Sequence, residues 1–192
     1  ADRVGKNSED YAIRLNNLAY LYEDMGRYDK AIPMYRESIQ IHKKMLGEDS
    51  FSVASARGNL ARVLAKNQQF NESESLTEQV LPVYEANDRD NFYNEVTLWA
   101  IKIQQSESDQ CRGLVTDMQP FLQKLAGQSA QSWRRLGAEF WIGQALYDCQ
   151  NFDHARTLLT SALALNDNIY LKDSYGHHLM ASKINDLLAS MP

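Results

Sequence analysis

Four histidines, two cysteines and a run of glutamates are the residues of this chain best suited to hold a metal or move a proton. His177 and His178 are adjacent, so on a helix their rings diverge by about 100° and do not close easily on one ion. A solvated or interfacial pair is expected. His42 and His154 stand alone, the pattern of surface histidines rather than of general bases. Glu72, Glu74 and Glu78 invite a metal reading, yet Glu74 and Glu78 at i,i+4 describe a solvated helix face more simply. Cys111 and Cys149 have neither the spacing of a disulfide framework nor that of a metal knuckle. Both fall in helical stretches and are expected to be reduced thiols packed as small hydrophobes. Trp99, Trp133 and Trp141 offer stacking surfaces, but large aromatics at helical spacing are expected in a core. The chain has no Gly-rich phosphate loop, nucleophile elbow or zinc-protease helix. The joint absence of these features argues against an enzyme and leaves no catalytic residue, metal or cofactor to assign.

Bulk properties narrow the class further. A chain of 192 residues with 44% hydrophobic content can build a continuous core of ordinary globular composition. A net charge of -5 lacks the basic excess of an electrostatic nucleic-acid binder. No apolar run approaches the ~18 residues that a membrane span requires. Nucleic acid and membrane are therefore not expected as partners, and a cytoplasmic location is.

The elements that would position any site announce themselves by repetition. Leu15-Asn16-Asn17-Leu18-Ala19-Tyr20-Leu21-Tyr22 returns in degraded form as Arg57-Gly58-Asn59-Leu60-Ala61-Arg62-Val63-Leu64, 42 residues later. Gly5/Gly47, Ser8/Ser50, Ala12/Ala54 and Tyr28/Phe70 share that offset. Self-similarity at a fixed period of this order marks an array of stacked units. Within the first unit, Leu15, Leu18, Ala19, Leu21 and Tyr22 fall at helical spacing, and Gly26 ends that helix. Tyr28, Ala31, Ile32, Tyr35, Ile39 and Ile41 then mark a second amphipathic helix. Ser8 and Ser50 are the expected N-caps.

This helical hairpin resembles the tetratricopeptide repeat. Leu15, Leu18, Ala19, Tyr22, Gly26, Tyr28, Ala31 and Tyr35 are spaced as in that family's large–large–small–large, glycine, aromatic, alanine, aromatic signature. The period exceeds the ~34 residues of the common version. With Leu-Asn-Asn-Leu-Ala and the linker Leu46-Gly47-Glu48-Asp49-Ser50, it is similar to the kinesin-light-chain type, which is also common in bacterial multidomain proteins. Repeat two departs from the pattern: Ser73 replaces the small Ala31, and Asn67 stands near the usual turn glycine. Repeat three is degenerate, with helices expected over about Phe92–Ser106 and Asp109–Leu125 and a kink or break at Pro120. Repeat four returns through Trp133, Leu136, Phe140, Trp141, Ala145 and Leu146, then Phe152, Ala155, Leu158, Leu159, Ala162 and Leu163. The tail from Ser174 to Met191 reads as a capping helix.

The resemblance implies an all-α, right-handed superhelical solenoid of antiparallel helix pairs, about nine helices in one domain spanning 1–192. The repeats are set at about 8–45, 50–86, 92–126 and 130–165, and the cap at about 174–191. It implies a scaffold that binds a peptide or partner protein in the concave groove lined by the first helices. Asn17 and Asn59 point into that groove by resemblance, and each can donate to and accept from a peptide backbone. Tyr20, Arg62 and Lys66 share the face, and the two cations at i,i+4 offer a local positive spot for a carboxylate. The competing reading fixes the asparagines to neighbouring helices and leaves the cations solvated. A full carboxylate clamp would need further cations from repeat three. Two other functions stand beside binding. Trp133-Arg134 through Leu158-Leu159 resembles the closing repeat of tetratricopeptide regions carried by some bacterial serine/threonine kinases, which suggests a regulatory or architectural region of a larger enzyme. Exposed solenoid ends suggest self-association. Val4-Gly5-Lys6-Asn7-Ser8 corresponds to Leu46-Gly47-Glu48-Asp49-Ser50, so the chain reads as a piece of a longer protein with sequence upstream, a removed signal peptide being the alternative.

Overall fold

The computed structural model describes residue 5 and residues 8–129, 132–170 and 175–192. Among the described residues the chain is all-α, with no strand. Its ten helices are α1 (Glu9–Asp24), α2 (Tyr28–Leu46), α3 (Phe51–Lys66), α4 (Phe70–Ala86), α5 (Phe92–Gln104), α6 (Ser108–Asp117), α7 (Gln119–Ala126), α8 (Trp133–Asp148), α9 (Phe152–Ile169) and α10 (Tyr175–Ser190). They group into two compact units, one through Ile101 and one from Lys102.

Local chemistry sets the helix ends. The Ser8 hydroxyl accepts from the Tyr11 N–H at 3.2 Å and the Ser50 hydroxyl from the Val53 N–H at 3.4 Å, as expected of N-caps. Ser132 caps α8 in the same way, accepting from the Arg135 N–H. Gly26, at φ 70°, makes the left-handed turn between α1 and α2. The corresponding turns fall on Gln68 (φ 60°) and Gln150 (φ 61°), so the residue at the glycine position of repeat two is Gln68 rather than Asn67. Pro120 does break the helix expected over Asp109–Leu125. It has no N–H to continue the ladder and its ring crowds the preceding turn, so α6 stops at Asp117 and α7 starts at Gln119. That break makes ten helices out of nine.

In the first unit, Ala19 and Ala31 are fully buried and let α1 and α2 close around Tyr35, which is itself fully buried with Ile32, Ile39, Leu60, Val63 and Leu64. Ser73 keeps the close approach that Ala31 makes in repeat one. It is buried, and its hydroxyl donates to the Ala61 carbonyl at 2.6 Å, so the substitution leaves no unpaired polar group. Leu18 and Leu21 depart from the inward reading: they are 41% and 54% exposed, whereas Leu60 and Val63 at the same offset are covered. His42 also departs from expectation. It is buried, its Nδ1 has no hydrogen-bond partner, and burial holds its pKa below the ordinary value against the pull of Glu9.

In the second unit the close approach of α8 to α9 falls on Gly143, a position the sequence pattern did not reveal. It lies seven residues before Gln150, as Ala19 does before Gly26, and a Cβ there would come within 2.9 Å of Leu159 Cγ. Cys111 and Cys149 are not separate thiols: they form a disulfide, with their Cα atoms 6.5 Å apart, that joins α6 to the C-cap of α8. Trp99 and Trp141 are half-buried, while the side chain of Trp133 lies outside the described residues, as does Ser174.

Candidate functional site

The residues expected to form a site lie on α1 and α3, and Glu23, which no sequence pattern marks, organises Arg62 and Lys66 among them. Glu23 sits in the last turn of α1, where the helix dipole disfavours an anion. Its side chain is fully buried. Burial by itself would raise its pKa. The Arg62 guanidinium, followed by the Lys66 ammonium, more than offsets this and holds the carboxyl down at about 2.

The geometry explains the strength of that effect. Arg62 grips the carboxylate in a bidentate fork, Nε donating to Oε1 at 2.8 Å and Nη2 to Oε2 at 2.9 Å. Lys66 Nζ donates to Oε1 at 2.7 Å, since residues i and i+4 of α3 reach the same point. The Tyr35 hydroxyl on α2 donates to Oε2 at 3.0 Å, and burial together with this carboxylate pushes the phenol's pKa upward. One buried anion thus ties α1, α2 and α3 together.

The asparagines divide between two situations. Asn59 belongs to the network: its amide donates to Asn16 Oδ1 at 3.1 Å, and its carbonyl accepts from Arg62 Nη1 at 3.0 Å. Asn17, at the equivalent offset, is exposed, and its neighbour Asn16 makes the link to α3 instead. Tyr20 is 47% exposed, with its ring 5.6 Å from the Arg62 guanidinium carbon. Tyr93 of α5, unforeseen from the sequence, is 41% exposed, its ring 6.0 Å from the same carbon. Beneath the face that carries Asn17, Tyr20 and Tyr93, the structure therefore brings together Asn59, Arg62 and Lys66. The signal that would have revealed Glu23 is its counterpart Ala65, 42 residues on and buried: a carboxylate at an apolar register needs cations nearby.

Three of the remaining candidates have polar neighbours. Glu72 pairs with Arg36 at 2.8 Å across α2 and α4. His177 contacts Asp167 at 2.7 Å, and His154 contacts Asn151. No group of three or more metal-ligating side chains occurs among the described residues. No helix among them is long and apolar enough to cross a membrane.

The α1–α2, α3–α4 and α8–α9 hairpins each turn on a left-handed residue, Gly26, Gln68 and Gln150. Residues 10–86, spanning nearly all of α1 through α4, match the model of the family described as Tetratricopeptide repeat, and that stretch is similar to those repeats. No curated protein matches the chain. Among solved structures, the crystal structure of BtubC (BKLC) from P. vanneervenii superposes with a TM-score of 0.57 at 18% identity, covering 95% of this chain and 75% of that one. At that identity the likeness is one of fold: a helical-repeat protein.

Proposed function

We propose that the chain is a non-catalytic interaction scaffold and that the face of α1, α3 and α5 in its first unit binds an extended peptide or partner segment. Tetratricopeptide repeats are in general protein-interaction scaffolds, and the observation that supports a site on this face is its division into two layers. A buried ion cluster fixes the helices from below, while Asn17, Tyr20 and Tyr93 stand exposed above it. Tyrosines and asparagines held on rigid elements supply contact area and backbone hydrogen bonds at small entropic cost. In this reading Arg62 and Lys66 act by holding the face together rather than by meeting the ligand directly.

The test is titration of a partner, recovered by pull-down from the source organism, against Asn17→Ala and the Asn17→Ala/Asn59→Ala pair. Asn17 contributes about 0.5–1.5 kcal/mol net through its hydrogen bond to the ligand, so Asn17→Ala is expected to weaken binding about twofold to tenfold. Asn59 acts through its bonds to Asn16 and Arg62, and the double change is expected to weaken binding further by loosening the face while the helical content is retained. Unchanged affinity moves the interaction off this face. An unfolded double variant makes Asn59 structural, and Asn17→Ala alone then decides.

A second reading has its own observation. Leu18 and Leu21 of α1 and Met25 at its C-cap form an apolar stripe that is 41%, 54% and 70% exposed. The α3 counterparts of Leu18 and Leu21 are buried in the cluster with α2. An exposed stripe of this kind suits a second copy of the chain. Sedimentation velocity should show a concentration-dependent dimer that Leu21→Asp abolishes, and a monomer at every concentration eliminates the reading.

A further inference from the structure

The two cations offered by the sequence to an acidic ligand are already matched inside the first unit. Glu23 takes both Nε and Nη2 of Arg62 and also Lys66 Nζ, all within 2.9 Å. A ligand carboxylate would have to displace a carboxylate that is fully buried and covalently held in place. Success would leave Glu23 in the interior without its partners, which carries a heavy desolvation cost. Asp24 lies next to this cluster on the exposed side, close enough to Lys66 and Arg62 to feel both. Two carboxylates therefore balance two cations, and the face has no net positive charge to offer.

What it does offer is apolar and amide surface. Ile13, Asn17 and Tyr20 recur at i, i+4 and i+7 on α1 and are all exposed, with Ile13 at 45%. Tyr93 adds a second ring, and both rings lie against the Arg62 guanidinium, which anchors them without facing a ligand as a bare charge. Aromatic rings pinned in this way present rigid contact area with a polar rim.

We propose that the face formed by Ile13, Asn17, Tyr20 and Tyr93 selects extended segments bearing uncharged aromatic or aliphatic side chains and discriminates against carboxylates, because Glu23 occupies the Arg62–Lys66 pair. The proposal rests on the reading of this face as a peptide site and adds the class of peptide that it takes.

The experiment is selection of a displayed random-peptide library on the intact chain, followed by titration of the enriched peptides. The expected peptides carry aromatic or aliphatic residues without acidic enrichment. Their affinity should change less than about threefold between low and high salt, since little charge pairing is involved. Tyr20→Ala and Tyr93→Ala should each weaken them several-fold with the thermal transition retained. An oligo-glutamate peptide should not bind the native chain measurably, and Glu23→Gln, which frees the cations, should bring its binding into range. If Glu23→Gln does not fold, the tyrosine variants and the salt series decide by themselves. Enrichment of acidic peptides whose binding is salt-sensitive and lost in Tyr20→Ala overturns the selectivity while leaving the site intact. Failure to enrich any peptide, or enrichment of peptides indifferent to Asn17, Tyr20 and Tyr93, removes the site itself.

Discussion

Glu23→Ala is expected to destabilise the first unit by about 3–5 kcal/mol, the cost of stripping one partner from a buried ion pair. It would leave Arg62, with a side chain only 12% exposed, and Lys66 facing one another without an anion between them. It would also remove the acceptor of the buried Tyr35 hydroxyl. Against a typical domain stability of about 5–15 kcal/mol this is a large share. Chemical denaturation followed by circular dichroism measures it, and a change below that of an ordinary surface substitution would show that the cluster is not a structural anchor.

The same cluster dictates an acid limb. The carboxyl's pKa is about 2 in the folded chain, depressed from an ordinary value of 4.5. A depressed acid stabilises the fold fully above its unfolded pKa, and the contribution fades as pH falls from 4.5 toward 2. Wild-type stability should therefore decline through that window, and Glu23→Gln should show a weaker decline because it has no proton to take up there. Parallel profiles for the two proteins would assign the acid sensitivity to other carboxylates.

Reduction of Cys111–Cys149 is expected to lower the stability of the second unit by about 2–4 kcal/mol. The bridge closes a loop between residues 38 apart in sequence, and opening it returns conformational freedom to the unfolded chain. Denaturation with and without dithiothreitol, monitored at the tryptophans of the second unit, reads the difference. Cys111→Ala/Cys149→Ala should resemble the reduced protein and be insensitive to reductant. Coincident curves, with two thiols titrating in the untreated protein, would sink the prediction.

Much of the architecture was legible because it depends on near neighbours in the chain. Ser8 and Ser50 cap the helices that follow them within three residues, Gly26 turns the chain where a left-handed residue is needed, and Pro120 breaks its helix by its own covalent structure. The 42-residue echo carried the pairing of helices, since each unit buries the stripe that its own hairpin creates. What stayed hidden involved residues whose partners are distant in sequence. Gly143 is read as the close approach of α8 to α9 only when counted back from Gln150, because no glycine marks that turn.

The sequence by itself determined the all-helical class and the hairpin repeat, because periodicity and caps are local properties of the chain, while the groove placement of Asn17, Tyr20, Asn59, Arg62 and Lys66 was an expectation from the family resemblance. Only the tertiary structure decided which of those side chains are paired inside the unit. Glu23 and Arg62 stand 39 positions apart, and Glu23 and Lys66 stand 43 apart. Cys111 and Cys149 are separated by 38. No periodicity distinguishes a solvated cation from one clasped by a buried carboxylate, or a packed thiol from half of a disulfide. The difference lies in dielectric environment and distance, and both come into being only when α1, α2 and α3 close around Glu23 and α6 meets the end of α8.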